Sequence, residues 1–271
     1  MIERSPWQLL EFLYLLARME LKARYKGRFL GYLGAVGLIF ALAFVFWIAF
    51  KVIMGLDLPN YSVYLVAGLF PWAWMSMGVV SASRSFVANA GLIREMGLAH
   101  AILPLSNVVQ EMLHFALALP LIVAWIAIPG DYPPAWSWLW QIPLLMALQL
   151  AFVYPLALAA ALANAYVRDI EYWLGIGFVL LFFATPMVYP VAMVPEALAR
   201  YFELNPFHAL MECWRAVFIE SRLDVRHAAY AAGFAAVAGV VVWGLYRRGA
   251  PRGGAGGGGK WVGAVPGLAT P

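Results

Sequence analysis

Few side chains in this sequence have the types and the spacing that catalysis requires. Acid–base and nucleophilic enzymes need paired carboxylates, or a histidine beside a carboxylate. The most compact acidic group here is Arg168-Asp169-Ile170-Glu171, which favours a salt-bridged helix end over a catalytic pair. The four histidines, at positions 100, 114, 208 and 227, lack the spacing of a metal site such as HExxH. The sequence therefore predicts neither a catalytic centre nor a bound metal.

A glycine-rich stretch near the C-terminus has the spacing of a nucleotide-binding P-loop without its chemistry. Gly254 and Gly259-Lys260 match that spacing, but Trp261 follows, where a P-loop has the Ser or Thr that binds magnesium. Chains this rich in glycine are flexible. We therefore predict that this chain binds no nucleotide or other cofactor itself, and that residues 249–271 form a flexible Gly-rich tail.

The dominant feature of the sequence is a series of long stretches without Asp, Glu, Lys or Arg. The protein is 64% hydrophobic and 12% charged, whereas soluble domains carry about 25% charged residues. About 20 apolar residues in a helix cross a membrane, and strands of a membrane barrel would alternate apolar and polar residues. The six charge-free stretches are 29–50, 58–83, 112–130, 132–167, 172–195 and 227–246. They predict an all-α integral membrane protein with six transmembrane helices in residues 29–248.

The positions of the basic residues predict the orientation of these helices. Cytoplasmic segments of membrane proteins carry an excess of Lys and Arg, and the basic residues here cluster before the first stretch and after the last one. We therefore expect both termini in the cytoplasm, together with the loops near residues 84–103 and 168–171. The net charge of +4 lies in these flanks and does not predict nucleic-acid binding. The segment 196–226 departs from this rule, because it is predicted to lie outside and yet carries four arginines.

Three segments at the edges of the stretches are predicted to have functional roles. Residues 1–28 contain a capping box at Ser5 and Gln8 and an amphipathic pattern, which predict a helix in the cytoplasmic interface. Residues 89–104 form a cytoplasmic loop with room for a short transverse helix that a soluble partner could move. Prolines between residues 185 and 195 break the fifth helix near its outer end. Residues 196–226 then predict two short re-entrant helices, separated at Asn205-Pro206.

Two further patterns predict contacts with lipid or with other helices. The fourth helix is expected to begin near Trp136 and to place Trp136, Trp138 and Trp140 in the outer interface as an aromatic belt. Gly31, Gly34 and Gly37 would let another helix approach closely. This glycine pattern leaves two possibilities open, which are packing within the chain and a dimer contact.

With these residues identified, the sequence resembles the permease subunit of ABC exporters for bacterial polysaccharides, including O-antigen, capsule and teichoic acid. The resemblance covers roughly residues 9–248 and rests on five motifs in the order of the family. The motifs are Leu21-Lys22-Ala23-Arg24-Tyr25 with Leu30-Gly31, Gly68-Leu69-Phe70-Pro71-Trp72, Asn89-Ala90-Gly91-Leu92-Ile93-Arg94 ending at Leu103-Pro104, Arg168-Asp169, and Thr185-Pro186-Met187-Val188-Tyr189-Pro190 with Leu204-Asn205-Pro206. The sequence departs from the family at Arg28, Gly34 and Ile39, and from Glu95 to His100, where the family has a basic residue and then Phe-Pro-Arg.

The resemblance implies a non-catalytic subunit in the bacterial inner membrane. Two copies would form the channel, and two copies of a separate ATPase would bind ATP and magnesium. The substrate would be an undecaprenyl-linked polysaccharide that enters from the cytoplasm. The implied site residues are Asn89, Leu92, Arg94, Glu95 and His100 for coupling to the ATPase, Lys22, Arg24, Tyr25, Arg168 and Asp169 for an interfacial or cytoplasmic gate, and Pro186, Met187, Tyr189, Pro190, Asn205 and Pro206 for the outer gate and channel.

Two other functions fit a polytopic membrane protein with these features. One is an ABC permease for drugs or for other lipids, which would have a narrower and more apolar channel. The other is an integral membrane glycosyltransferase acting on a polyprenyl lipid. That enzyme would need acidic residues at the cytoplasmic face, for which Asp169 and Glu171 are the candidates.

Overall fold

A computed structural model describes residues 29–90, 100–128 and 134–249, and no strand occurs in these ranges. Three sets of predictions lie outside the described residues: the interfacial helix with Lys22, Arg24 and Tyr25, the coupling residues Leu92, Arg94 and Glu95, and the Gly-rich tail beyond Gly249. Five helices in the described ranges are long and apolar enough to cross a membrane. The chain is therefore a multi-pass membrane protein, and five of the six predicted spans are confirmed as candidate spans.

The helices follow one another with short connections. The described helices are α1 (Phe29–Trp47), which a π-helix (Ile48–Ile53) continues, α2 (Tyr61–Ser83), α3 (Ser85–Ala88), α4 (Ile102–Ala127), α5 (Trp138–Tyr166), α6 (Ile170–Ala184), α7 (Glu196–Glu203), α8 (Pro206–Glu220) and α9 (Val225–Gly249). A short 3₁₀ helix (Val191–Met193) precedes α7. We name the two ends of the bundle after the two ends of its central helix α2: the Tyr61 end and the Arg84 end.

Helix α2 forms the centre of the bundle. Of the residues in its apolar span, 72% are buried, whereas the corresponding shares in the spans of α1 and α9 are only 11% and 17%. Helices α1, α4, α5 and α8 all pack against α2. Burial of an apolar side chain contributes about 1.5–3 kcal/mol when it leaves water, but lipid is as apolar as a helix surface. Packing and hydrogen bonds must therefore hold the helices together, and the buried polar groups around α2 gain importance.

Helix α4 begins earlier than the charge-free stretch predicted. It starts at Ile102, so Leu103 and Pro104 belong to the helix and not to the preceding loop. Glu111, the charged residue just before the charge-free stretch 112–130, lies inside the helix with only 5% of its surface exposed. Its carboxylate lies 3.1 Å from Nδ1 of His114, one turn further along the helix. A partner of this kind lets a helix bury a carboxylate, which a search for uncharged stretches cannot foresee.

Helix α6 is shorter than the predicted fifth span. Its 15 residues measure about 22 Å at 1.5 Å per residue, less than the membrane core of about 30 Å. The helix ends at Ala184, and Thr185 has extended backbone angles. The prediction that prolines break this helix is confirmed.

Beyond the break, the chain continues along α2. At the Arg84 end, Glu171 near the start of α6 pairs with Arg84 at 2.9 Å. At the Tyr61 end, the hydroxyl of Tyr64 donates to the carbonyl of Tyr189 at 3.0 Å. The helix and the irregular segment after it therefore together follow the length of α2.

The aromatic-belt prediction is wrong for one of its three tryptophans. Trp136 and Trp140 are exposed, by 89% and 55%, as a belt requires, but Trp138 is only 5% exposed. Its indole N–H donates to the hydroxyl of Ser221 at 3.2 Å. An indole with a hydrogen-bond partner can be buried, and that partner is more than eighty residues away in the sequence.

Two glycines of α1, Gly34 and Gly37, have no close neighbour among the described residues. A Cβ atom added at either position would meet nothing within 4 Å there. The described residues therefore supply no packing partner for these two positions, and the two possibilities from the sequence, packing within the chain and a dimer contact, stay open.

Candidate functional site

The candidate site lies at the Tyr61 end, where the prolines interrupt the chain after α6. We call residues 185–190 the break segment. Its prolines cannot donate backbone hydrogen bonds. The carbonyls of Thr185 and Pro190 accept from the backbone N–H groups of Met187 and Met193, but those of residues 186–189 have no backbone donor among the described residues. A buried carbonyl without a donor costs free energy, so the position of this segment depends on donors from other helices.

Helix α8 lies inside the bundle, next to the break segment. The sequence predicted two short helices separated at Asn205-Pro206, and α7 and α8 confirm that separation. Phe207 at the start of α8 packs against Phe152 of α5, with ring centroids 5.4 Å apart. At the other end, the carbonyl of Ser221 accepts a hydrogen bond from the Ser137 hydroxyl at 3.1 Å. Helix α8 thus begins about 21 Å inside α5, at 1.5 Å per residue, and runs towards the Tyr61 end.

Helix α8 is buried along most of its length. Its apolar residues surround the ion pair of Glu212 with Arg215, and it packs against α2, α5 and α9. The buried residues are His208, Ala209, Leu210, Met211, Cys213, Trp214, Arg215, Ala216, Val217 and Phe218. A segment that the sequence placed at the outer membrane face is therefore part of the helical core.

Asn205 joins the start of α8 to the end of α6. Its side-chain oxygen caps α8 by accepting from the backbone N–H of Phe207 at 2.9 Å, and Pro206 takes the first helical position. Its amide group donates to the hydroxyl of Thr185 at 3.0 Å. One side chain thereby fixes both the helix start and its position against the break segment.

Substitutions at Asn205 should separate these two contributions. We expect Asn205→Ala to lower the free energy of unfolding by about 2 kcal/mol, about 1 for the cap and about 1 for the lost hydrogen bond. Asn205→Asp keeps an equally good cap, so its loss of unfolding free energy should be at most half of the loss in Asn205→Ala. Thermal unfolding of the detergent-solubilised protein measures the difference. Asn107→Ala is the control, because the Asn107 amide donates to a carbonyl of its own helix, that of Leu103. Equal losses in both Asn205 variants would contradict a capping role.

Arg215 of α8 is the principal donor to the break segment. It is 3% exposed, and its Nη2 atom donates to the carbonyls of Pro186 and Met187, both at 3.0 Å. Its Nη1 atom pairs with Glu212 at 2.5 Å, and the guanidinium lies 3.9 Å from the ring centroid of Tyr64. A planar guanidinium can make all of these contacts at once. Arg215 therefore connects α8, α2 and the break segment.

Two tyrosines of α2 supply the remaining donors. The Tyr61 hydroxyl donates to the carbonyl of Val188. The Tyr64 hydroxyl lies 3.0 Å from the carbonyl of Tyr189 and 3.3 Å from that of Pro186. Four consecutive carbonyls, from residue 186 to 189, thus accept from α2 or α8. Side chains of α2 and α8 therefore hold these four carbonyls.

Gly68 of α2 leaves the space that this arrangement occupies. A Cβ atom at this position would lie 3.1 Å from Nη2 of Arg215 and 3.2 Å from the terminal methyl of Met187. Both distances are tighter than ordinary packing contacts, so a side chain here would displace the guanidinium or the break segment. The close approach of Arg215 and Met187 therefore explains why the Gly68-Leu69-Phe70-Pro71-Trp72 motif begins with glycine.

The fourth residue of the same motif is tied to α5 and α8 through a buried glutamine. The Gln149 amide donates to the carbonyl of Pro71 at 2.8 Å, and its oxygen accepts from the Trp214 indole at 2.6 Å. Gln149 is fully buried. It therefore links three helices at the level where α8 enters the bundle.

Removal of this link should destabilise the bundle without introducing bulk. We expect Gln149→Leu to lower the free energy of unfolding by about 1–3 kcal/mol, because the Trp214 N–H loses its acceptor. The midpoint of thermal unfolding in detergent measures this loss. Ser76→Ala is the control, since the Ser76 hydroxyl bonds only to carbonyls of its own helix. A midpoint that falls equally in the control would contradict the role of Gln149.

An apolar groove runs along α1, α2 and α6 and has a volume of about 630 Å³. Near its middle, the indole of Trp72 packs edge-on against Phe178 and Phe182, with ring centroids 6.2 and 5.6 Å apart. Towards the Arg84 end, the lining includes Ser76, Ser81 and Arg84. The groove thus combines aromatic faces with a few polar groups.

The structure brings together the six residues that were predicted for the outer gate. Four of them form or end the break segment, and the other two begin α8: Pro186, Met187, Tyr189, Pro190, Asn205 and Pro206. The donors that hold the segment were not among the predicted site residues: Tyr61, Tyr64 and Arg215. The available signal was Glu212 three residues before Arg215 in an apolar helix, which is the spacing of a helical ion pair.

The described residues predicted for the cytoplasmic side lie at the Arg84 end. Asn89 follows α3 and donates to the carbonyl of Ser85 at 2.9 Å, and His100 lies just before α4. Arg168 and Asp169 are exposed in the turn between α5 and α6. These residues share one end of the bundle, as the proposed coupling and cytoplasmic gate require.

The sequence is similar to curated proteins over most of its length. No family model matches the sequence, but curated proteins do. The chain is 34% identical over 219 residues to an O-antigen export system permease protein RfbA of Klebsiella pneumoniae, covering 81% of this chain and 84% of that protein. It is 31% identical over 245 residues to a protein of the same name from Myxococcus xanthus, covering 89% and 92%. The similarity therefore extends over most of each chain.

Proposed function

The chain belongs to the family of O-antigen export permeases, and from this membership we propose that it is the channel-forming subunit of an ATP-driven exporter of lipid-linked polysaccharide. The relatives are named for the export of O-antigen. The observation that carries the proposal for this chain is the groove along α1, α2 and α6, whose aromatic middle suits a chain of sugar rings.

The proposed topology has six passes, with both termini in the cytoplasm of the inner membrane. The fifth pass consists of α6 and the break segment, which together follow α2 from Arg84 to Tyr64. In this arrangement the Tyr61 end faces outward, and α7 and α8 form a re-entrant pair. The positive-inside rule counts basic residues in the segments outside the membrane core. Arg215, one of the four arginines of residues 196–226, is buried and paired with Glu212, so it does not count against this topology.

A partner ATPase supplies the energy in this proposal, and two copies of it would dock at the Arg84 end. ATP and magnesium would bind to the ATPase and not to this chain. The loop before α4 and the N-terminal segment would receive its motion, with Asn89 and His100 at the described edges of that loop.

Two copies of the chain would enclose the pathway. Support comes from α1 and α6, which expose large apolar side chains such as Leu38, Val45, Leu180 and Phe183 beside the groove. Nothing in the described part of the chain covers Gly34 and Gly37, and small residues of this kind let a second helix approach closely. A groove that is open on one chain becomes a channel when a second copy faces it.

Deletion of the gene in its host tests this function. We expect surface polysaccharide to disappear and undecaprenyl-linked polysaccharide to accumulate inside the cell, both restored by the wild-type chain. A glycosyltransferase would behave differently, because its loss would leave no lipid-linked product to accumulate. Complementation with Asp169→Asn and with Glu171→Gln should leave lipid-linked polysaccharide in the cell whether or not export is restored, whereas absence of the lipid-linked product in both variants would favour the enzyme. Unchanged surface polysaccharide after deletion would refute an export role.

A further inference from the structure

A second cavity lies at the Tyr61 end, and it differs in character from the groove. Its volume is about 700 Å³, and it is bounded by α7, α8, α9 and the end of the break segment. The volume lies within the range of about 300–1,000 Å³ that small-molecule sites occupy. Its charged and imidazole side chains are Arg200, Glu203, His208, Glu212, Arg226 and His227.

Charged groups of both signs line this cavity. Arg200 and Arg226 lie in the lining with Glu203 and Glu212, and Arg215 pairs with Glu212. The arginines offer hydrogen-bond donors, and the Glu203 carboxylate offers acceptors. A lining that offers both suits a neutral ligand with many hydroxyl groups, since each hydroxyl both donates and accepts.

A buried imidazole in the lining keeps unused hydrogen-bonding capacity. His208 is 4% exposed, and among the described residues its Nδ1 atom has no hydrogen-bond partner. The nearest carboxylate oxygen, on Glu212, is 3.8 Å away, which is too far for a hydrogen bond. A buried polar atom in this condition costs free energy unless a further group binds to it.

The neighbouring imidazole is held in a fixed orientation. Nδ1 of His227 lies 2.8 Å from the carboxylate of Asp224, which also accepts from the His227 backbone N–H at 3.1 Å and so caps α9. Burial acts to raise the pKa of Asp224, but these hydrogen bonds outweigh it and lower the pKa below its usual value. The carboxylate is therefore ionised at neutral pH and keeps the ring in place.

Aromatic surface completes the lining. The cavity includes the rings of Tyr64 and Tyr230, and the Tyr230 hydroxyl is anchored on the carbonyl of Leu204 at 2.8 Å. A tyrosine whose hydroxyl is anchored presents its ring as a rigid contact surface. Rings of this kind pack against the C–H faces of sugars, whereas a free inorganic anion gains little from them.

We propose that this cavity is a binding site for a short segment of the exported saccharide. The proposal rests on the proposed function, and it adds a specific site outside the groove. Tyr64 and Glu212 line the cavity and also contact Arg215, the donor to the break segment. Saccharide in the cavity and the position of the break segment therefore share two side chains, so binding and gating are coupled.

Binding by the full chain in lipid nanodiscs tests the proposal. The probe is short oligosaccharide obtained by mild acid treatment of the host strain's own surface polysaccharide, and inorganic phosphate is the second probe. We expect the oligosaccharide to bind at least tenfold more weakly to Glu203→Gln and to Arg226→Ala. Both positions are exposed, and neither side chain is among the donors to the break segment, so these variants should fold. Arg222→Ala is the matched control, because Arg222 is an exposed arginine that pairs with Glu220 outside the cavity.

The outcomes distinguish this site from the export function itself. Oligosaccharide that fails to bind to the wild type, or binds equally to all four proteins, refutes the saccharide site. Phosphate that competes with the oligosaccharide assigns the cavity to an anion instead and also refutes it. If the deletion strain lacks surface polysaccharide while Glu203→Gln and Arg226→Ala bind as the wild type does, only the site is wrong. If the deletion strain keeps its surface polysaccharide, the proposed function is wrong.

Discussion

Replacement of Arg215 by methionine should abolish the display of surface polysaccharide. Methionine fills a similar volume but donates no hydrogen bond, so the Met187 carbonyl loses its donor and the Pro186 carbonyl keeps only the longer one from Tyr64 at 3.3 Å. Glu212 loses its partner as well. Loss of one member of a buried ion pair costs about 3–5 kcal/mol, and the lower end applies here because Glu212 is partly exposed. Surface polysaccharide and the thermal unfolding midpoint in detergent are the two measurements.

A conservative change at the same position tests the geometry. Lysine keeps the charge but has one ammonium group, which cannot donate to two carbonyls, pair with Glu212 and lie flat on Tyr64 together. We therefore expect Arg215→Lys to fold but to export little. Adding Glu212→Gln to Arg215→Met should recover part of the stability, since it removes the unpaired charge. Full export by Arg215→Lys would show that only the charge matters.

A surface arginine provides the comparison for these variants. Arg222 lies on the connection from α8 to α9, is exposed and pairs with Glu220. Exposed ion pairs contribute about 0–1 kcal/mol. Arg222→Met should therefore leave both export and the unfolding midpoint close to those of the wild type. A comparable loss in this variant would indicate that the effect of Arg215→Met is not specific to the break segment.

The sequence predicted the parts of this fold that depend on local chemistry. Proline in residues 185–190 and at position 206 restricts the backbone wherever it occurs, so the end of α6 and the start of α8 were predictable. Long apolar stretches likewise predicted five of the candidate spans. The early start of α4 was missed because a charged residue, Glu111, is buried beside a histidine of the same helix.

The parts that depend on distant partners were not predictable in this way. Arg215 is one of four arginines in residues 196–226, and only the fold shows that its carbonyl acceptors lie about thirty residues away. Trp138 and Ser221 form a second such pair, which turned a predicted belt residue into a buried one. Periodicity reports which face of a helix is apolar, but not which helix covers it.

The gate residues acquire a common role from these distant contacts. The proline-rich segment has carbonyls without helical partners, and the donors belong to α2 and α8. Movement of either helix would leave buried carbonyls unsatisfied, so the segment must move with its donors or remain closed. If the Tyr61 end is the outer gate, as we propose, its opening therefore requires a concerted displacement of α8 and the break segment relative to α2.

Space for the guanidinium is as important as its charge, and Gly68 tests this. Leucine at position 68 should abolish export and lower the unfolding midpoint, because its Cβ alone would lie 3.1 Å from Arg215 and 3.2 Å from Met187. Overpacking of a tight core costs about 1–3 kcal/mol or more. Gly68→Ala should be intermediate, since Arg215 and Met187 can shift by a few tenths of an ångström.

A second glycine of the same helix separates the effect of position 68 from helix propensity. At Gly78 an added Cβ would meet its nearest neighbour, Val153, at an ordinary 3.7 Å. Gly78→Ala should therefore export normally and gain up to about 1 kcal/mol, because alanine favours a helix over glycine. If Gly68→Ala behaves as Gly78→Ala does, the space beside Arg215 is not required. If Gly68→Ala loses export while it gains or keeps stability, the defect lies in the position of the break segment, and the outer gate is set by the fit of α2 against Arg215.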